Sequence, residues 1–312
     1  WPPYEEQAMN REARGLWLGF IGVVLFSATL PMTKLATGPF DAPQLSPVFV
    51  TFGRAALAGV LSIFYLAFSR SPIPKKGQWG ALFFTGLCVI IGFPLFMAMG
   101  LRHVESVHAS VIMGILPLAT AAIGSLWLGQ RPSVGFWACA VAGSALVMVF
   151  VVLRASPASS QEAGMGANWA DLLLLLAVLS ASCGYVSGAQ LTPSLGAERV
   201  ICWVLVISLP LTVPMMLINW PPLPVRPSAW LGFGYVTLFS MWIGFFAWYR
   251  GLALGGTVRV SQVQLVQPFL SMLFSVPLLG ESLDVVTVGF ALAVIATVFI
   301  GKRMPVTQRA PA

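Results

Sequence analysis

Long apolar runs separated by short polar or proline-glycine connectors dominate the chain. About 20 apolar residues cross the hydrocarbon core of a bilayer as a helix. Ten runs of that kind read at 16–36, 46–68, 79–100, 106–127, 134–153, 169–190, 199–219, 230–251, 257–279 and 285–301. The connectors carry the expected breakers, Gly38-Pro39, Ser71-Pro72, Arg131-Pro132 and Pro221-Pro222. The longest, Arg154 to Asn168, is rich in Ala, Ser and Gly and divides the chain into halves of five spans. The first apolar run continues past signal-peptide length without a small-residue cleavage site, so it reads as a span. The pattern predicts an all-α polytopic membrane protein. Its expected parts are an N-terminal tail (1–15), a first five-helix repeat (16–153), a linker (154–168), a second five-helix repeat (169–301) and a C-terminal tail (302–312).

Composition agrees. Of 312 residues, 58% are hydrophobic and only 9% are charged, against about 25% charged in soluble domains. A soluble enzyme is excluded. The net charge of +7 would suggest nucleic acid in a soluble chain. Here the basic residues sit in connectors, where they report topology instead. With the N-terminus in the cytoplasm, the inner side collects Arg11, Arg14, Arg70, Lys75, Lys76, Arg131, Arg199, Arg250, Lys302, Arg303 and Arg309, with Arg259 close by. The outer side keeps Lys34, Arg102, Arg154 and Arg226. Both termini are therefore expected inside. Cys88, Cys139, Cys183 and Cys202 all fall within spans and read as reduced core thiols.

The halves resemble one another. At a fixed offset of 151 residues, Gly100 falls on Gly251, Leu101 on Leu252, Val107 on Val258, Ser110 on Ser261, Pro117 on Pro268, Leu128 on Leu279 and Gly129 on Gly280. An odd number of spans per half inverts the second repeat relative to the first. Secondary transporters built this way place their substrate near the midplane, where the repeats meet. The segments "PLATAAIGSLWLGQ" and "RGLALGGTVRVSQVQLVQPFLSMLFSVPLLGES" resemble the two EamA repeats of the drug/metabolite transporter superfamily. Leu279-Gly280-Glu281 keeps the repeat's closing "LGE", and the first half departs from it at Gln130. The resemblance covers about residues 16 to 301. It implies the ten-helix type, nearest the bacterial exporters of aromatic and other apolar amino acids. With thirteen Arg to four Lys, which hints at a GC-rich genome, it implies the bacterial inner membrane.

Candidate chemistry is sparse. Arg54 sits about a third of the way into the second span, where a guanidinium costs a few kcal/mol unless it faces a cavity or partner. It either offers a bidentate donor to an anion such as a carboxylate or snorkels and ties off backbone carbonyls. Lys34 reads as a snorkelling anchor, and His103 and His108 as interfacial. The ninth span carries Gln262, Gln264 and Gln267 before Pro268, and Gln264 and Gln267 share a face. Amides of this kind bind a zwitterion or bond neighbouring helices. Trp242 and Phe246, spaced i and i+4, either wall an apolar pocket or pack against lipid or a helix. Tyr249, Trp230 and Trp220 read as interfacial belt. Ser27, Phe93, Met113 and Tyr185 complete the candidate substrate-lining set. Pro31, Gly92, Pro94, Pro117 and Pro268 are the candidate hinges. The stripes Gly135, Cys139, Gly143 and Gly289, Ala293, Thr297 read as helix packing.

The acids are Glu5, Glu6, Glu12, Asp41, Glu105, Glu162, Asp171, Glu198, Glu281 and Asp284, and none lies at mid-span. The proton-for-drug exchange of the superfamily's small four-helix members, which uses an intramembrane glutamate, is thus not expected. Neither a phosphate-binding loop nor HExxH, nor a nucleophile elbow, occurs. The expectation is a non-enzymatic transporter, without cofactor or metal, exporting apolar or aromatic amino acids by alternating access. An exporter of a nucleobase, sugar or amine, or a ligand-binding accessory protein, is the alternative. Its partners would be a small-molecule substrate and the lipid bilayer, with no nucleic acid. The chain would act as a monomer or a homodimer.

Overall fold

The computed structural model describes residues 4–38, 42–100, 112–154, 169–222, 224–279 and 285–308. The chain is almost entirely helical. It runs α1 (Tyr4–Ser27), α2 (Thr29–Thr37), α3 (Pro47–Phe68), α4 (Trp79–Gly86), a π-helical turn (Leu87–Gly92) and α5 (Phe93–Gly100). It resumes with α6 (Leu116–Leu128), β1 (Gln130–Pro132) and α7 (Val134–Arg154). The second half holds α8 (Trp169–Leu195), α9 (Ala197–Ile218), α10 (Pro227–Tyr235), a π-helical turn (Val236–Ile243) and α11 (Gly244–Gly255). Then come α12 (Thr257–Ser261), a 3-10 turn (Gln262–Val266), α13 (Gln267–Leu279), α14 (Val285–Lys302) and β2 (Val306–Gln308).

Seven helical stretches among the described residues are long and apolar enough to cross a membrane, and Leu116–Leu128 and Val134–Phe150 are shorter apolar helices. Three of the ten expected spans are not among the seven: the fourth, the fifth, which is counted only over Val134–Phe150, and the ninth. The fourth begins within 101–111, outside the described residues. The ninth is broken at Gln262, so neither α12 nor α13 reaches spanning length alone.

The 151-residue offset holds in the backbone. α6 and α13 begin and end at equivalent positions, α7 and α14 begin together, and the wide turns at Leu87–Gly92 and Val236–Ile243 overlap after the shift. Equivalent helices also pack antiparallel. Along α3 and α9, Gly53 meets Met216, Gly59 meets Leu209, and Ser71 Oγ accepts from Arg199 Nε at 3.1 Å. Along α7 and α14, Gly143 meets Thr297, Cys139 meets Gly301 and Gly135 reaches Met304.

The tightest approach is α1 against α11. Gly15 lies on Gly255, Gly19 on Gly251 and Gly22 on Trp248. Small residues let helix backbones close where lipid supplies no hydrophobic drive. The stripe at Gly135, Cys139 and Gly143 is likewise packed, as expected. Gly289 is not: a methyl there meets nothing within 4 Å. The central core gathers Val23, Phe26, Tyr185, Val204, Trp248 and Tyr249. Leu57, Phe64 and Phe68 on the outer face of α3 are exposed, as lipid-facing side chains are.

One end of the bundle is tied by polar groups. β1 pairs antiparallel with β2, Arg131 opposite Thr307. Arg259 joins Glu12 in an ion pair and donates from a terminal nitrogen to the Met304 carbonyl at 2.9 Å. Gln130, which replaces the repeat's acid, is buried, and its Oε1 accepts from the Val258 amide at 3.2 Å. It caps α12, satisfying one of the amides a helix start leaves open.

Candidate substrate site

Arg54 is placed by α3, whose start is set by Pro47 and by Ser46 Oγ accepting from the Phe49 amide at 3.1 Å. Seven residues of rise put it about 10 Å inside the helix. Its Nε is buried without a hydrogen-bond partner. The group close enough to act on it electrostatically is the Tyr185 hydroxyl of α8, and no carboxylate of the described residues does so. Tyr185 is buried, its ring 5.6 Å from Trp248 and 6.3 Å from Phe245. The Gln264 side chain lies near its hydroxyl.

Gln264 sits in the 3-10 turn, buried, with Oε1 unpartnered. Three residues per turn bring Gln267, half-buried at the start of α13, over the same face. Gln262 is a tie between helices: its Nε2 donates to the Pro117 carbonyl at 3.1 Å, while its Oε1 is unpartnered. Arg54, Tyr185 and Gln264, from three helices and both halves, therefore converge. Unsatisfied buried polar atoms are costly and uncommon, and Arg54 Nε and Gln264 Oε1 are two of them.

Trp242 and Phe246 are half-buried and meet each other at 5.2 Å between ring centroids. Tyr65 of α3 completes a trio, 6.0 Å from Trp242 and 5.7 Å from Phe246. Trp242 Nε1 donates to Cys202 Sγ at 3.3 Å. Tyr65 was absent from the expected set, because a tyrosine near a helix end reads as belt. Arg54 and Tyr65 lie on one face of α3 but eleven residues apart, about 16 Å along the axis. The aromatic group thus stands at a different depth from the cation.

The other expected residues distribute as follows. Ser27, the buried last residue of α1, donates to the Val23 carbonyl at 2.6 Å. Phe93 packs at the edge of the central core, and Met113 is half-buried. Pro31 follows the break at Ala28, and Gly92 ends the first wide turn. Pro94, Pro117 and Pro268 each take the second position of a helix that follows an irregular segment, where a missing amide costs nothing. His103 and His108 lie outside the described residues.

Tyr249 is a correction. It is fully buried, not interfacial, and its hydroxyl donates to the Gly184 carbonyl at 3.4 Å. Gly188 on α8 opens the slot that admits it, since a methyl there would meet the tyrosine ring. Beyond the aromatic trio, Glu198 and Arg250 form an ion pair at 3.1 Å. They border a cleft of about 210 Å³ that also touches Arg11, Thr192 and Gly196. No cluster of metal-binding side chains occurs among the described residues.

These features define a multi-pass helical membrane protein with a cationic, hydrogen-bonding locus where its two halves meet. The chain belongs to the EamA-like transporter family, which it matches over residues 13–153 and again over 168–301. It is 41% identical over 299 residues to YdeK, an uncharacterized transporter of Bacillus subtilis (strain 168), covering 95% of this chain and 99% of that one. It is 27% identical over 281 residues to an S-adenosylmethionine/S-adenosylhomocysteine transporter of Chlamydia muridarum, covering 87% of this chain and 86% of that one. A solved crystal structure shares the fold with a TM-score of 0.74 at 16% identity, over 93% of this chain and 98% of that one. The chain is accordingly a membrane transporter for a small molecule.

Proposed function

We propose that this protein is a secondary transporter that exports a small carboxylate-bearing amphiphile by alternating access. Both termini face the cytoplasm, and the second repeat is inverted relative to the first. The membrane is the bacterial plasma membrane, in keeping with the bacterial relatives. The observation that carries the reading is Arg54, a cation inside an apolar span with a buried unpartnered nitrogen, close to Tyr185, which in turn neighbours Gln264. Guanidinium pairs with carboxylate through charge-assisted, bidentate bonds, and the Gln264 and Gln267 amides complete the polar shell of a zwitterion. Antiparallel packing of equivalent helices supports the inverted arrangement. Acids absent from mid-span support facilitated efflux over proton exchange.

Amino acids with apolar or aromatic side chains fit at the Arg54 level. The depth of the aromatic trio favours a second, longer substrate: a nucleoside-linked amino acid, its carboxylate at Arg54 and its base stacked near Trp242. The Chlamydia relative is named for substrates of that kind.

Counterflow of labelled solutes in liposomes holding the pure protein tests both. Carboxylate-bearing solutes should exchange and lose exchange in Arg54→Ala. Trp242→Ala should spare small amino acids and depress those with a large ring or base. Exchange confined to solutes without a carboxylate refutes the anionic locus. Thiol labelling of Ser160→Cys from the cytoplasmic side, or termini on opposite faces, refutes the topology.

A further inference from the structure

Each wide turn is touched by a hydroxyl from the other half, on a backbone carbonyl in the first and on a side-chain hydroxyl in the second. In the first, the Phe93 amide donates five residues back to the Cys88 carbonyl, and Ser180 Oγ of α8 donates to that same carbonyl at 3.0 Å. In the second, the Gly244 amide donates five residues back to the Phe239 carbonyl. Thr29 Oγ1, at the break between α1 and α2, donates to Ser240 Oγ of that turn at 2.8 Å. Shifted by 151 residues, Phe93 falls on Gly244, Cys88 on Phe239 and Thr29 on Ser180. Each turn also closes on a glycine with no room for a side chain. A methyl on Gly92 would meet Ser180 Oγ and the Leu87 carbonyl, and one on Gly244 would sit 2.7 Å from the Phe239 carbonyl.

A wide turn inside an α-helix is a local register shift that frequently marks functional sites. Backbone groups it loosens within a membrane must find partners, and serine and threonine hydroxyls supply them. A hydroxyl from a neighbouring helix that fits one register and not the other biases a two-state element.

We propose that Ser180 and Thr29 are paired latches, each holding the wide turn of the opposite half, and that the transport cycle releases them alternately. They are positioning residues that act through α5 and α11 rather than on the substrate. The inference rests on the alternating-access reading above. The latches are equivalent under a repeat whose matching helices run antiparallel, so loosening them biases the transporter toward opposite facing states.

Hydrogen–deuterium exchange on the full chain in lipid nanodiscs reads this without a substrate. One end of the bundle is reported by 193–202, the other by 45–50 with 215–222. Thr29→Val should raise exchange at one end and lower it at the other, and Ser180→Ala should do the reverse. Each shift should be roughly two- to tenfold, the range set by one buried hydrogen bond. The double variant should return toward wild type, and Thr29→Ser should keep wild-type exchange. Shifts of the same sign, a change confined to the touched helix, or no change overturns the latches. Glu198→Lys separates this from the parent reading, because it breaks the ion pair to Arg250 at one end without touching either latch. If that end loosens with no reply from the other, alternating access falls, and the latches with it. A reciprocal reply to Glu198→Lys, but not to the latch variants, sinks the latches alone.

Discussion

Replacing Gly251 with alanine tests the packing of α1 on α11 against the packing read from sequence alone. A methyl at Gly251 would lie 2.6 Å from the Gly19 nitrogen and 2.9 Å from the Gly15 carbonyl oxygen. Both obstacles are backbone, so no rotamer relieves them. Restoring contact at 3.4 Å requires the helices to part by about 0.8 Å, which loosens Gly15–Gly255 and Gly22–Trp248 as well. Overpacking of this order costs roughly 1–3 kcal/mol. For a chain of this size that lowers the unfolding midpoint by roughly 2–10 °C. Gly289→Ala is the control, because open space surrounds that position and alanine gains about 0.5–1 kcal/mol over glycine within a helix. Thermal unfolding in detergent, followed by tryptophan fluorescence and by the monodisperse fraction on size exclusion, should separate the two. Equal midpoints for Gly251→Ala and wild type, or an equal loss in Gly289→Ala, would refute the reasoning.

Arg54→Ala should cut counterflow of every carboxylate-bearing substrate by about tenfold or more, the worth of a charged hydrogen bond, while folded yield holds. Arg54→Lys should recover only part of it, since an ammonium lacks the planar fork; full recovery in counterflow would argue against bidentate recognition. Gln130→Ala should cost about 1 kcal/mol through the lost cap on Val258, seen as a lower unfolding midpoint with unchanged substrate preference. Pro117→Ala and Pro268→Ala should each slow transport per folded molecule more than they reduce folded yield, and equal rates would remove these prolines from the hinge set.

Helices were legible where both ends carry punctuation. The span expected at 46–68 appears as Pro47–Phe68, and that at 134–153 as Val134–Arg154. Prolines flagged the irregular segments near Gly92 and Gln262, because a missing amide marks its own place. The wide turn at Val236–Ile243 contains no proline, and its trace is the match to its repeat partner. Arg54 stood out because a charge within an apolar run needs no partner to be noticed. Tyr65 and Tyr249 escaped because their burial depends on other helices: Trp242 and Phe246 for one, the slot at Gly188 for the other. A one-helix pattern reports depth in the bilayer, not which neighbour fills a face. The strand pairing of Gln130–Pro132 with Val306–Gln308 is too short and too distant in sequence to leave a periodic signal.

The most closely packed helix pairs, α1 with α11, α3 with α9, α7 with α14, α8 with α5 and α6, and α2 with α10, all join one half of the chain to the other. A ribosome making this protein therefore delivers the whole first half to the membrane before its helices meet their tightest neighbours. Until the second half arrives, Arg54 and the glycine faces of α1 stand open to lipid or to insertion machinery. Contacts that form only at the end of synthesis make assembly slow and late. They also make it divisible: chains ending and restarting within 155–168, supplied together, carry every surface needed to find each other.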